Sequence, residues 1–198
     1  MTGVAVRISP WLRWSLVAVT ALTVVAALVL ALVNRSLAGP RKPVEALFVA
    51  PADVQLLVGE QWRAGASLSD GGLTVRRWQN LRTRSNYEQS VTAHTSGFGA
   101  LYDYSAADPR INDLEDFGSE GVQDASLDVT LKADQARIYC RQLIPPARAS
   151  GPCSGWVYWS RYGRYTIEVA YREPELDARR FQQIIQQVDA KIATTLSR

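Results

Sequence analysis

Three groups of residues in this 198-residue chain have types and spacing that could do chemistry. His94 is the sole histidine, so a Ser-His-Asp relay or an imidazole metal site would have to run through it. Its neighbours Ser90, Thr92 and Ser96 recur at every second position, the pattern of an exposed hydroxyl row on a strand, and no nucleophile-elbow motif occurs. The stretch from Asp103 to Asp134 carries nine acids and two bases. Asp113, Glu115 and Asp116 within it could attract Ca²⁺, but an EF-hand needs acids at alternate positions and a later glutamate. A solvated acidic face is the simpler reading. Carboxylate pairs there are also what a glycan hydrolase would have to use. Cys140 and Cys153, the only cysteines, flank a Pro/Gly-rich loop and suit a disulfide, which persists only in an oxidising compartment.

Two shorter matches carry little. Gly97-Phe98-Gly99 opens like a dinucleotide fingerprint but lacks the third glycine. Asp116-Phe117-Gly118 copies a kinase tripeptide in a chain without the glycine loop or catalytic loop of a kinase. The sequence therefore gives no catalytic set, no metal site and no cofactor. A binding surface is the stronger expectation. Arginines cluster among aromatics, and the candidate surface is Trp62, Trp78, Trp156, Tyr158, Trp159, Tyr162, Arg161 and Arg164. Arginine over aromatic faces is frequent in partner interfaces. For the hairpin at 156–171 itself the favoured expectation is that both faces are buried, one by the last helix and one by other elements, with one face as a recognition surface the alternative.

The element that places these residues in the cell lies at the start of the chain. Ser15 to Val33 is apolar apart from three hydroxyls, with no charge between Arg13 and Arg35. A bilayer core about 30 Å thick takes about 20 such residues of helix. Trp11 and Trp14 fit an interfacial aromatic belt. The same features describe a secretory signal cut after Ala38, although the run exceeds the about 7–15 residues of a signal core. We expect a cytoplasmic segment at 1–13, a transmembrane helix at 14–34, a juxtamembrane linker at 35–43 and an extracytoplasmic domain at 44–198. The lipid bilayer is then a partner through 14–34, and Thr23, Ala27 and Ala31 at small-xxx-small spacing permit a homodimer. Net charge is +3, with 22 bases against 19 acids, and two of the bases, Arg7 and Arg13, precede the apolar run. The remainder is nearly balanced, which excludes bulk attraction for nucleic acid.

Within the domain, Val44 to Val58 reads as one or two helical turns. Trp62–Ser67 and Leu73–Trp78 read as paired strands, and Tyr87–Thr95 as a half-exposed strand. A short helix is expected near Ile111–Phe117, a strand at Ser126–Leu131 and a helix from Asp134 to Leu143. Trp156–Ser160 and Arg164–Tyr171 form the clearest hairpin, turning at Gly163. Pro174 opens a last helix with the stripe Phe181, Ile184, Ile185, Val188 and Ile192. The fold class is α+β: a single transmembrane helix, then one domain of about five or six antiparallel strands packed by a C-terminal amphipathic helix.

The arrangement from Ser126 to Leu196 resembles actinobacterial extracytoplasmic domains. These include the sensor domains of membrane serine/threonine kinases and related lipoproteins with a PsbP-like α/β sandwich. The chain departs from the kinase sensors in having cysteines for one disulfide only, and it has neither a kinase domain nor a lipobox cysteine. The resemblance implies ligand or protein binding rather than catalysis. The expected function is a sensor-like, non-enzymatic, single-pass plasma-membrane protein with its C-terminal domain outside the cytoplasm. The alternatives are an accessory subunit of a larger membrane complex and, less favoured, a hydrolase of envelope glycans.

Overall fold

The computed structural model describes residues 10–57, 61–106, 122–124, 129–141, 153, 155–173 and 177–197. The chain is α+β, with an N-terminal apolar helix, an open antiparallel sheet and a C-terminal helix. Helix α1 spans Pro10–Ala38 without interruption, about 44 Å at 1.5 Å per residue. Its Val17–Ala38 portion is long and apolar enough to cross a membrane, and its apolar run up to Val33 is exposed, the rest of the chain covering only the end of the helix at Ala38. The helix runs four residues beyond position 34, into the stretch expected as linker, because nothing before Gly39 opposes it. Gly39 takes a φ of +61° and ends the helix, as glycine does at the position after a last turn.

Three single 3₁₀ turns follow, at Val44–Leu47, Pro51–Asp53 and Gln55–Leu57. They are the helical turns expected within 44–58, three in number and of the 3₁₀ kind, with 58 outside the described residues. The sheet comprises β1 (Trp62–Ala64), β2 (Leu68–Asp70), β3 (Leu73–Asn80), β4 (Ser85–Ala93), β5 (Val122–Asp124), β6 (Gln135–Arg141), β7 (Gly155–Tyr162) and β8 (Tyr165–Arg172). The order is β1-β3-β4-β8-β7-β6-β5, all antiparallel, with β2 also pairing β3. Among the described residues the sheet has eight strands rather than five or six: β2 and β5, three residues each, are too short for alternation to reveal, and β6 falls where a helix was expected.

The expected helix from Asp134 to Leu143 is instead strand β6, as far as Arg141. Its apolar residues fit both periods, but Ala136, Ile138 and Cys140 pair opposite Ser160, Tyr158 and Trp156 of β7. Asp134, expected to cap that helix, accepts the Gly163 N–H at 2.6 Å. The expected strand at Ser126–Leu131 does not form at Val129–Leu131, which are irregular, and 126–128 lie outside the described residues. The expected helix near 111–117 also lies outside them. Helix α2 occupies Gly97–Ala106, and helix α3 occupies Ala178–Ser197 after Asp177, whose Oδ1 accepts the Arg180 N–H.

Alternation divides the sheet into two faces. One face presents Tyr87, Val91, Ile138, Trp156, Tyr158, Tyr162, Ile167, Val169 and Tyr171 to α3 and the 3₁₀ segment, forming the main core. The α3 stripe Phe181, Ile184, Ile185, Val188 and Ile192 is wholly buried there, as its spacing predicts. The opposite face carries a smaller cluster of Tyr139, Val157, Trp159 and Ala170 beneath Tyr104 of α2. Cys140 and Cys153 form a disulfide with their Cα atoms 5.5 Å apart, inside the usual range.

Candidate functional site at the helix–domain junction

The expected aromatic and arginine surface is mostly interior. Trp156, Tyr158, Trp159, Tyr162 and Arg161 are buried, while Trp62, Trp78 and Arg164 are half-buried. The hairpin is covered on both sides. Trp156 stacks on Phe181 of α3 at 5.4 Å, and Trp159 stacks on Tyr104 of α2 at 6.2 Å. Trp62 and Trp78 pack at the margin of the main core, against Tyr171 and Tyr87. The aromatic density therefore serves packing. Arg161 reaches Gln135, the Gly163 carbonyl and Asp134, at 3.1, 3.1 and 3.2 Å, and so ties β6 to the β7–β8 turn.

What the fold does assemble is a junction between α1 and one end of the sheet. Ala38, the last residue of α1, is only 4% exposed. A Cβ on Gly97 would stand 2.6 Å from the Ala38 nitrogen and the Leu37 carbonyl carbon, and one on Gly163 would stand 2.5 Å from the Ala38 carbonyl oxygen. Real Cβ atoms do not come so close, so both positions require glycine. The Phe98 N–H donates to Asn34 Oδ1 at 3.3 Å. Beyond the helix, Tyr165 Oη accepts the Lys42 N–H at 2.6 Å and donates to the Lys42 carbonyl at 2.8 Å. The expected linker is thus stitched to the domain.

A cleft of about 290 Å³ opens at this junction. Ser36, Leu37 and Pro40 form one wall, Leu196 and Ser197 at the end of α3 another, and Lys132, Asp134 and Gly163 the third. Tyr162 lines it too and leads to a buried polar knot. Asp189, 2% exposed on α3, accepts the Lys132 and Ala133 N–H groups at 2.7 and 3.1 Å. It also accepts the Tyr162 and Tyr158 hydroxyls at 2.6 and 3.1 Å. Both phenols are held well above their ordinary pKa. Burial is the largest cause for each; for Tyr162 the neighbouring Tyr158 and Asp189 add to it, while for Tyr158 the bond to Tyr162 offsets part of it. They remain protonated donors, and the carboxylate has a partner for each of its four bonds.

His94 lies on the other face. Its Nε2 is 3.1 Å from Thr166 Oγ1 and 3.3 Å from Asp103 Oδ2, and Thr166 donates to Asp103 at 2.9 Å. A relay needs the acid on one ring nitrogen and the nucleophile on the other. Here both approach the same nitrogen, so the group fastens α2 to β8 and does not activate the hydroxyl. Asp113, Glu115 and Asp116 lie outside the described residues, among which no cluster of acids, histidines or cysteines could hold a metal.

Sequence reading missed Asp189, Gln89, Gly97 and Gly163 as junction and core determinants. Gln89 is fully buried and bonds both ways with the 3₁₀ segment, accepting the Val49 N–H and donating to the Leu47 carbonyl. For Asp189 there was a signal, an acid placed between Ile185 and Ile192 inside an apolar stripe. Comparison with protein-family models, curated proteins and solved structures gave no match to this chain.

Proposed function

We propose that this is a single-pass membrane protein in which α1 is a retained anchor and the α+β domain, outside the cytoplasm, binds a ligand or protein partner without catalysing a reaction. The observation that carries the reading is the seating of Ala38 against Gly97 and Gly163. A leader cut after Ala38 would take Asn34 and Leu37 with it and leave the start of α2 without its support. The disulfide favours an oxidising compartment. The junction cleft, with a lysine at its rim and serines from two helix ends, is a place among the described residues for a small polar ligand. The arrangements at His94 and Asp189 satisfy themselves internally, which favours binding over catalysis. Placement in the plasma membrane and kinship with extracytoplasmic sensor domains belong to the same proposal.

Intact cells treated with a membrane-impermeant maleimide test it. Cys140 and Cys153 should label only after external reduction, and protein extracted from the membrane should retain residues 1–38 by mass. Labelling that requires lysis but no reductant would refute the placement, and a mass beginning at Gly39 would refute retention. A stoichiometric membrane partner on extraction in mild detergent would favour the accessory-subunit reading.

A further inference from the structure

Among the described residues, four of the six large apolar side chains that remain exposed outside α1 lie at one end of the sheet, the other two being Leu56 and Leu81. Leu68 is 58% exposed, Leu73 40%, Phe98 40% and Tyr102 76%. The backbone fixes which end this is. The Ala93 N–H donates to the Gly72 carbonyl at 3.0 Å, and the His94 N–H to the Arg164 carbonyl at 2.9 Å. The β2–β3 turn, the end of β4 and the β7–β8 turn therefore lie side by side, at the end where Ala38 is seated. Leu73 stands opposite Thr92, and Leu68 opposite Val75, so both leucines belong to the face that α2 covers. Phe98 and Tyr102, one helical turn apart, sit on the outer side of α2, away from buried Ala100 and Tyr104. Phe98 is bonded to Asn34, the first residue after the apolar run of α1, and so stands level with the end of that run.

Charge at this end has a matching sign. Arg35 and Arg41 are exposed beside the end of α1, Lys42 is held there by Tyr165 and Lys132 borders the cleft, against Asp70 at the β2–β3 tip, Asp103 beside His94 and Asp134, which Arg161 pairs. Aromatic residues with basic neighbours at the end of an apolar helix are what a membrane–water interface selects, and each base near an anionic surface adds about 1 kcal/mol.

We propose that this end of the domain is a second lipid-contacting surface, in which Leu68, Leu73, Phe98 and Tyr102 rest in the headgroup layer of the bilayer that α1 crosses. The proposal rests on α1 being a retained anchor, and it commits to a bilayer as the occupant. The surface is continuous with the exposed apolar side of α1 through the bond between Phe98 and Asn34.

The test uses the full chain in vesicles containing zwitterionic and anionic phospholipids, with its disulfide closed. Single nitroxide labels are placed through Leu73→Cys, Phe98→Cys, Leu81→Cys at the opposite end of the sheet, and Val25→Cys within α1. Collision with dissolved oxygen and with a water-soluble nickel chelate reports depth. Labels at 73 and 98 should collide with nickel several-fold less often than the label at 81, with 25 deeper still. Nickel access at 73 and 98 equal to that at 81, with 25 still deep, would overturn the surface and leave the anchor standing. A label at 25 open to nickel would overturn both. If either variant disturbs the domain, Tyr102→Cys, whose side chain is the most exposed of the four, gives the same reading without touching the packing.

Discussion

Asp189 draws four donors from two separate stretches of chain: the Lys132 and Ala133 amides, and Tyr158 and Tyr162 of β7. Asp189→Ala would leave those donors buried without an acceptor. An unsatisfied buried group costs about 1–3 kcal/mol, and partial relaxation among four of them brings the expected loss to about 3 kcal/mol. Asp189→Asn, which keeps one acceptor oxygen, should lose clearly less. Urea midpoints of the two variants check this, and equal stability to the parent would refute the cradle. The buried phenols give a second prediction. Tyr87, Tyr158, Tyr162 and Tyr104 titrate higher in the fold than the ordinary value near 10, burial being the leading cause in each, and Tyr104 is pushed up to about 12. A phenol kept protonated by folding stabilises the fold fully below its unfolded pKa, and that contribution is lost as pH rises through the folded value. The urea midpoint should therefore be insensitive to these groups up to about pH 9 and fall between pH 10 and 12. A midpoint unchanged at pH 12 would contradict their burial.

At the level of elements, the most legible parts of the chain were those with one unmistakable period. The apolar run of α1, the β7–β8 hairpin turning at Gly163 and the α3 stripe all stand where spacing put them. The 134–143 stretch failed because Ala136, Tyr139, Cys140 and Leu143 satisfy a helical period while Ala136, Ile138 and Cys140 satisfy a strand period. Ten residues cannot separate the two. The edge available on β7 decided the matter, and that edge is a property of the assembled sheet. The aromatic hairpin shows the complementary limit. Its composition fits an interface and a core equally well, and only the positions of Phe181 and Tyr104 reveal that both faces are covered. The candidate site was the least legible part, because Gly97 and Gly163 take their meaning from an Ala38 that is remote in sequence.

Across the whole molecule, that contact fixes the domain to the helix more closely than a short linker at 35–43 alone would. With Ala38 enclosed, Lys42 stitched to Tyr165 and α2 bonded to Asn34, the sheet holds a set angle to the axis of α1. Gly97→Ala should break the arrangement by steric conflict with the backbone of Leu37 and Ala38. The expected loss is about 1–3 kcal/mol of stability, together with faster tryptic cleavage after Arg35 and Arg41. Unchanged cleavage would show that the helix end is not held. The same clamp also orders events in time, on the reading that α1 is an anchor. The helix is synthesised and enters the membrane first, whereas Gly97 is made roughly midway through the chain and Gly163 later still. The anchor must therefore wait in the bilayer with its end uncovered, and the joint cannot close before the β7–β8 turn has been made and paired.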